Sequence, residues 1–166
     1  MKKMTAIVIF LLTLGCVEFA FADDFFSVGE KYFGADIVKY DDYGINAQGV
    51  FGAYIGKLGP LPLALEGRAS FSIADEDNVQ LDYHIGGYLR AEYRAGQFRP
   101  YGLFGFSHAE ASMEIFGVEI TDDDTDFSLG AGLQYDFLNG FSLNAEFLLQ
   151  LVDDVDGFSI GLRKRF

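Results

Sequence analysis

The stretch VQLDYHIGGYLRAEYRA, residues 79–95, alternates between two kinds of side chain along its whole length. Leu81 and Ile85 belong to an apolar series, and Asp82 and Arg90 belong to a series of polar and small residues. A β-strand points successive side chains to opposite faces, so the stretch predicts one strand with an apolar and a polar face. An average strand has about 5 to 6 residues, whereas a tilted strand that crosses a bilayer needs about 9 to 11. The stretch is therefore long enough to cross a membrane.

Turn-forming residues divide the rest of the chain into further segments with the same alternation. None shows the sustained 3.6-residue period of an amphipathic helix. The predicted strands cover residues 31–40, 45–57, 61–74, 79–95, 98–115, 125–138, 141–152 and 157–166. The fifth is less regular, because Phe104 and Phe106 fall on its polar face in this register. Eight alternating strands without helices predict an all-β fold, an eight-stranded antiparallel up-and-down barrel.

The first 22 residues have the pattern of a secretory signal peptide. Two lysines precede the apolar run 6–14, and Ala20-Phe21-Ala22 supplies a small-residue cleavage site. We therefore predict that residues 1–22 are removed and that residues 23–166 form one barrel domain. A lipoprotein, in which Cys16 carries the lipid, is the alternative, although Thr13-Leu14 fits its processing motif poorly.

The charge of the chain excludes one large class of partners. The formal net charge is −13 at pH 7, and binding to nucleic-acid phosphates needs a basic surface. After the signal segment no stretch reaches the roughly 18 apolar residues of a membrane helix. Because lipid cannot satisfy exposed backbone groups, a membrane-spanning form of this chain must be a closed barrel.

Acidic residues occupy alternate connections between the predicted strands. Those of the first, third, fifth and seventh connections are Asp41, Asp42, Asp75, Glu76, Asp77, Glu119, Asp122, Asp123, Asp124, Asp153, Asp154 and Asp156. The even connections are short turn-like segments without acids, at 57–60, 96–97 and 138–140. In an up-and-down barrel the odd connections share one end. One rim is predicted to be acidic and extracellular, and the other to carry the short periplasmic turns.

Arginine supplies the basic residues of the polar face from the third strand onward. Its planar guanidinium suits buried ion pairs better than lysine does, so we predict an ion-pair network inside the barrel. Its members are Glu66, Arg68, Arg90, Glu92, Arg94, Asp136, Glu146, Arg163 and Arg165. The polar face is also rich in glycine, which suits a narrow lumen filled by side chains. These glycines are Gly52, Gly86, Gly102, Gly130, Gly132 and Gly161.

Aromatic residues lie near both ends of the apolar face, as in the two interfacial girdles of membrane barrels. Those towards the acidic rim are Phe71, Tyr83, Phe127 and Phe158; those towards the other are Tyr93, Tyr101, Tyr135, Phe137, Phe141 and Phe166. The alternative is a soluble periplasmic barrel of the lipocalin kind, which would bind a ligand and place its apolar residues inward.

Three motifs resemble the small eight-stranded outer-membrane barrels of Gram-negative bacteria, the family of the outer membrane protein A barrel, the X-type barrel and the opacity-type adhesins. They are Arg99-Pro100-Tyr101-Gly102, the run 128–133 (SLGAGL), and the C-terminal set Phe158, Ile160, Leu162 and Phe166. In that family, alternating apolar residues before a C-terminal aromatic are recognised by the barrel-assembly machinery. Lys164 stands where the family usually has an apolar residue. The resemblance covers residues 31–166 and implies envelope, adhesive or recognition roles.

From these patterns we expect a non-enzymatic, monomeric outer-membrane barrel without a cofactor, exported by its signal peptide. Its lumen is expected to be filled by side chains, and its partners to be outer-membrane lipid and lipopolysaccharide. The longest loop is expected from Phe116 to Thr125. Clustered carboxylates such as Asp122, Asp123 and Asp124 suit hard cations, so weak binding of Ca²⁺ or Mg²⁺ is a hypothesis. A solvated acidic cap is its alternative.

An enzyme is the remaining alternative. His108, Glu110 and Ser112 alternate on one face of the fifth strand and are the residue types of acyl-transfer chemistry. Small barrels that deacylate lipid A face the lipid with such residues, whereas this register turns all three into the lumen. Neighbours two apart on a strand are also about 7 Å apart. A row of polar lumen residues is the interpretation we favour, and His84 is interpreted as a hydrogen-bonded lumen residue.

Overall fold

The computed structural model of the chain describes residues 29–41, 44–74, 79–115, 118–150 and 156–166, and only the backbone at 79–81, 111, 113–115 and 118–123. The strands are β1 (Lys31–Tyr40), β2 (Gly44–Leu58), β3 (Leu61–Ala74), β4 (Val79–Glu92), β5 (Phe98–Ile115), β6 (Val118–Leu138), β7 (Phe141–Gln150) and β8 (Asp156–Arg165). In this part of the chain there is no helix long and apolar enough to cross a membrane.

The strands close into one barrel in sequence order, and every neighbouring pair is antiparallel. The seam between the first and last strands is a continuous ladder that runs from Tyr32 opposite Arg165 to Tyr40 opposite Gly157. The predicted fold, an eight-stranded up-and-down barrel, is confirmed.

Tight turns set the rim that carries the even connections. Asn139 and Gly140 join β6 to β7, and both have positive φ, at 37° and 82°. Two-residue hairpins favour this left-handed geometry because its twist matches that of the strands, and Asn-Gly adopts it readily. Gly59 and Gly96 have positive φ in the other two even connections, at 60° and 65°. This end of the barrel, called the narrow rim below, therefore carries short turns. Both described ends of the chain lie beside it.

The two faces of the barrel have opposite chemistry. Leu143 is 46% exposed on the outside, whereas Arg90 is 1% exposed on the inside. The large outward-facing side chains of the barrel wall include Phe33, Ile37, Leu65, Ile85, Phe104, Leu129, Leu133, Phe147, Ile160 and Leu162. In water, an apolar outer wall is unfavourable, so a soluble barrel would place its apolar side chains inside and its charged side chains outside. The lipocalin-like alternative is therefore wrong.

The fifth connection is a hairpin rather than a loop. β6 begins at Val118, seven positions before the predicted start, and pairs with β5 as far as Ile115 opposite Val118. Among the residues that the structure describes, the pairing of β6 with β7 runs from Ser128 opposite Gln150 towards the narrow rim. The sequence prediction failed because acidic residues are typical of loops, whereas a long partner strand extends the ladder through them. Residues 151 and 152, predicted as the end of the seventh strand, lie outside the described residues.

The predicted faces of the fifth strand are wrong by one position. Tyr101 and Leu103 point into the lumen, at 6% and 3% exposure, while Phe104 and Phe106 point outward. Tyr101 lies opposite Gly132 on β6, where a Cβ atom would come within 2.3 Å of the tyrosine ring. The glycine therefore leaves space for an inward tyrosine. Gly102 faces outward, contrary to prediction, and β4 ends at Glu92 rather than at residue 95.

An arginine placed on the outer wall should destabilise the barrel according to its depth. We expect Leu133→Arg to cost about 2 to 4 kcal/mol of unfolding free energy, and Leu138→Arg, at the narrow rim, about 0 to 1 kcal/mol. Denaturant titrations in lipid vesicles would measure both, with folding scored by the faster migration of the unheated barrel on a gel. Equal costs at the two positions would contradict a membrane-facing wall.

Candidate functional site

The lumen holds a connected set of buried charges, and it contains the residues predicted for the ion-pair network. Glu66, Arg68, Arg90, Glu92, Glu146 and Arg163 are each at most 5% exposed. Arg94 lies at the rim, where its side chain is 45% exposed, and Asp136 and Arg165 lie just inside it. Alternation along each strand directs these side chains into the lumen, while the residues between them face outward.

Arg68 lies between two carboxylates from strands on opposite sides of the lumen. Its Nε donates to Glu66 Oε1 at 2.7 Å, and its two terminal nitrogens form a bidentate pair with Glu146, with Nη2 2.7 Å from Oε2. Bidentate guanidinium–carboxylate pairs are among the stronger hydrogen-bonded contacts in proteins. Arg68 therefore links β3 to β7 across the barrel.

Arg90 forms a second crossing link. Its Nη2 donates to Gln134 Oε1 at 2.6 Å, and its Nη1 lies 3.4 Å from Glu66 Oε2. The guanidinium also stacks on the ring of Tyr101 at 3.7 Å from the centroid, an attraction that strengthens where water is excluded. Glu66 thus receives donors from two arginines and, at 2.6 Å, from the hydroxyl of Tyr32.

The charges near the narrow rim form a further cluster. Glu92 accepts from Arg94 Nε at 3.0 Å and from Arg99 Nη1 at 3.2 Å. Asp136 accepts from Arg99 Nη2 at 2.6 Å and from Arg165 Nη2 at 2.9 Å. Arg99 was absent from the predicted network. It lies two residues before Tyr101 in the motif that opens β5, and the two side chains therefore share a face of the strand. The wrong faces predicted for that strand concealed it.

The ion pair at the seam includes a residue that the sequence prediction missed. Arg163 on β8 forms a bidentate pair with Asp36 on β1, with Nη2 2.8 Å from Oδ2. Gln48 Nε2 completes the carboxylate shell at 3.1 Å. Asp36 is 3% exposed, and its position in the series Tyr32, Gly34, Asp36 was the available indication. This pair adds a side-chain link to the ladder that closes the barrel.

The half of the lumen towards the acidic connections holds mainly neutral polar side chains, together with the buried Asp126. His84 is fully buried, with Nδ1 3.3 Å from the hydroxyl of Tyr40 and Nε2 3.3 Å from Gln150 Nε2. The hydroxyl of Ser70 lies 3.4 Å from the same Nδ1. These contacts agree with the interpretation of His84 as a hydrogen-bonded lumen residue. Ser107 and Ser128 bond each other at 2.8 Å in the same region.

His108 and Glu110 face outward, so the prediction that they lie in the lumen is wrong. Residues opposite each other on paired strands share a face, and His108 lies opposite Ile85, which is 48% exposed on the outer wall. His108 Nδ1 bonds Thr125 Oγ1 at 2.9 Å, and Nε2 lies 3.3 Å from the hydroxyl of Tyr83. The same register error in the fifth strand is the cause.

His108, Glu110 and Ser112 do not form the acyl-transfer arrangement that was considered from the sequence. Ser112 Oγ donates to Asp82 Oδ2 at 2.5 Å. Ser112 lies four positions along the strand from His108, a spacing of about 13 Å at roughly 3.3 Å per residue. A general base must lie within hydrogen-bond reach of its nucleophile. Glu110 in turn meets Tyr83, at 3.5 Å, on the same outer face.

The hypothesis of a divalent-cation site falls mainly on residues outside the described side chains. Asp122 and Asp123 belong to that group, and Asp124 Oδ1 accepts from the backbone N–H of Thr125 at 2.6 Å. Within the described residues there is no cluster of three or more acidic, histidine or cysteine side chains suited to a metal ion.

The residues of the predicted assembly signal form an apolar row on the outer face of β8. Phe158, Ile160, Leu162 and Phe166 are between 49% and 64% exposed. Lys164 shares their face and is partly covered, because its Nζ donates to Asn139 O at 2.5 Å. The row ends at the narrow rim, where Phe166 packs near Phe33 with ring centroids 5.9 Å apart.

An apolar wall around a closed ladder, with paired charges inside, defines a transmembrane β-barrel. The profile of the family described as outer membrane protein beta-barrel domain matches residues 7–166. The chain belongs to this family, which places the protein in the outer membrane of Gram-negative bacteria. No curated protein matches the sequence.

Solved structures with the same fold include barrels from three bacterial sources. The N-terminal β-barrel domain of Pseudomonas aeruginosa OprF is 20% identical, with 84% of this chain and 98% of that chain covered and a TM-score of 0.61. Ail, the attachment invasion locus protein of Yersinia pestis, is 20% identical over 84% and 99%, with a TM-score of 0.57. Neisserial surface protein A is 18% identical over 82% and 96%, with a TM-score of 0.56. At these identities the likeness shows the fold alone.

Breaking the seam ion pair should cost more than breaking an exposed one. We expect Arg163→Met to lower the unfolding free energy by about 3 to 5 kcal/mol, because it leaves the buried Asp36 carboxylate without its partner. The double variant Asp36→Asn/Arg163→Met should lose much less than the sum of the two single changes. Arg94→Met, at the rim, should cost about 0 to 1 kcal/mol.

The same denaturant titration applied to all four variants provides this double-mutant cycle and its control. Strictly additive single changes would show that the two side chains do not stabilise one another.

Proposed function

We propose that this protein is a non-enzymatic, integral outer-membrane barrel that acts in envelope structure or surface interaction through acidic extracellular connections. The observation that carries the proposal is the lumen, in which paired charges and tyrosines occupy the centre of the barrel. Arg68 joins carboxylates on opposite sides, and Arg90 is stacked and hydrogen-bonded beside it. An eight-stranded barrel is just wide enough for side chains to fill, so diffusion through it is not its role.

The placement of the rims supports an extracellular position for the acids. Transmembrane barrels have short periplasmic turns and longer extracellular connections, and the narrow rim carries the two-residue turn at Asn139 and Gly140. The start of β1 and the end of β8 lie beside this rim, where Lys31 and Phe166 pair through their backbones, and this suits a chain exported with residues 1–22 as its signal peptide. The acidic connections then face the medium.

The β5–β6 hairpin supports the surface-interaction part of the proposal. Its two strands remain paired up to Ile115 and Val118, beyond Ser128, where the pairing of β6 with the described part of β7 ends. The hairpin therefore presents an ordered acidic element rather than the short loop expected from the sequence. Five acids lie in its outer part and fit a cationic surface or partner: Glu114, Glu119, Asp122, Asp123 and Asp124.

The remaining partners are proposals drawn from the sequence. We infer that the barrel is a monomer embedded in outer-membrane lipid and lipopolysaccharide, and that the assembly machinery recognises Phe158, Ile160, Leu162 and Phe166. The net charge of −13 argues against nucleic acid as a partner. Weak Ca²⁺ or Mg²⁺ binding at the acidic connections remains a hypothesis, and identical proteolysis of the hairpin with and without millimolar Ca²⁺ would eliminate it.

Neutralising three acids on the β6 side of the hairpin should test the proposed surface role. A strain that carries the triple change Asp122→Asn, Asp123→Asn and Asp124→Asn should assemble the barrel, as judged by the gel shift. It should lose the parent's binding to cationic surfaces and match a deletion strain in detergent sensitivity. A matched control removes acids from the seventh connection, at Asp153 and Asp154. Unchanged binding and envelope resistance in both variants would contradict the proposal, as would a steady ion current through the purified barrel in planar bilayers.

A non-enzymatic barrel should leave lipid A chemically unchanged. We expect the same lipid A masses from cells that express the parent, Ser112→Ala or His108→Ala, because the serine and the histidine are too far apart to act together. Mass spectrometry of extracted lipid A provides the measurement. Loss of an acyl chain in the parent that is restored in either variant would establish the enzyme alternative instead.

A further inference from the structure

A groove crosses the outer wall of the barrel over the seam between the first and last strands. It has a volume of about 590 Å³ and is lined by β1, β2, β3, β7 and β8. Small-molecule sites in proteins have volumes of roughly 300 to 1,000 Å³. The groove is thus a defined depression in a surface that elsewhere carries large apolar side chains.

Small residues form the floor of the groove. Ala35, Ala47 and Gly49 are outward positions on β1 and β2, and Ala35 lies opposite Gly49 in the ladder. Large side chains form the two walls, with Phe71 and Ile73 on one side and Ile160 and Leu162 on the other. Because the floor residues are small and the wall residues are large, the groove is about as deep as the wall side chains are long.

A cation lies where the groove reaches the narrow rim. Lys164 is among the lining residues, with its Nζ 2.5 Å from Asn139 O and 4.2 Å from the centre of the Phe141 ring. An ammonium has three donors, and the Asn139 carbonyl takes one. Lys31 begins β1 at the same rim, next to the backbone of Phe166, and adds a second positive charge nearby.

From this geometry we propose that the groove holds one acyl chain of an anionic phospholipid from the periplasmic leaflet, with its phosphate on Lys164. The apolar lining excludes a polar ligand, and the surrounding medium at this wall is hydrocarbon. The proposal rests on the orientation given under the proposed function, in which the lysine lies at the periplasmic interface. Lipid phosphates are found there, and lysine side chains extend towards the headgroups. Charge complementarity therefore favours an anionic over a zwitterionic lipid at this position. A second copy of the chain is the competing occupant, and the experiment below distinguishes it from a lipid.

A single tryptophan can report which lipid occupies the groove, since the chain has none of its own. Ile160→Trp places the reporter on β8 in the groove wall, and Phe104→Trp places a control on β5, three strands away. Each variant is reconstituted in vesicles of phosphatidylcholine and phosphatidylglycerol, in which either lipid carries brominated chains at the same mole fraction. We expect brominated phosphatidylglycerol to quench the groove reporter several-fold more than brominated phosphatidylcholine, and both lipids to quench the control equally.

Substitutions in the Ile160→Trp background separate the charge from the shape of the groove. Lys164→Gln should remove the preference for phosphatidylglycerol, whereas Lys164→Arg and the rim control Lys57→Gln should keep it. Ala47→Leu fills the floor and should reduce the preference, while Ala131→Leu, on the outer face of β6, should not. If Lys164→Gln fails to assemble on the gel, the two alanine variants and Lys164→Arg still decide the question.

Three results would overturn the proposal. Equal quenching by the two lipids at the groove reporter would mean ordinary contact with bulk lipid. Retention of the preference in assembled Lys164→Gln would remove the role of the lysine. A second copy would be the occupant if neither lipid quenched the groove reporter at high protein density. In a dilute sample, in which cross-linking detects no dimer, both lipids would then quench it.

Discussion

Hydrocarbon provides no hydrogen-bond partners, so every backbone N–H and C=O in the membrane must be paired within the protein. The ladder between β1 and β8 meets this requirement by leaving no strand edge in the barrel wall. Closure then creates an interior that is largely shut off from water. A charge placed there must find its counter-charge on another strand, as Arg68 on β3 does with Glu146 on β7. The polarity of both faces thus follows from one requirement.

Glycines and aromatic rings together make the filled lumen possible. Long arginine and tyrosine side chains fit only where neighbouring positions carry no Cβ, and Gly132 beside Tyr101 is the clearest case. The tyrosines contribute more than volume, since the hydroxyls of Tyr32 and Tyr54 donate to Glu66 and Glu92 at 2.6 and 2.7 Å. A buried carboxylate with such donors is less costly than a bare one. The same tyrosine side chains therefore fill the lumen and stabilise its buried carboxylates.

Alternation and turn residues predicted most of the fold, because both depend on neighbours along the chain. The bounds of β1, β3 and β5 agree with the prediction. Alternation could not decide the faces of β5, where Tyr101 and Leu103 compete with Phe104 and Phe106, since both series are apolar. The choice depends on Gly132 in another strand. Pairing in the lumen was likewise beyond local patterns: the arginines were recognisable, whereas Asp36 as the partner of Arg163 emerges only from the closed topology.

The bidentate contact at the seam joins residues that are 127 positions apart in the sequence. During synthesis and export, the carboxylate on the first strand must wait for its guanidinium until nearly the whole polypeptide has arrived. Contacts of such long sequence separation slow folding, because the entropy of closing the intervening loop is lost before any contact compensates for it. An incomplete chain that lacks the final strand would hold an open edge and an uncompensated negative charge. Closure of the wall and neutralisation of this carboxylate therefore both depend on the arrival of the final strand.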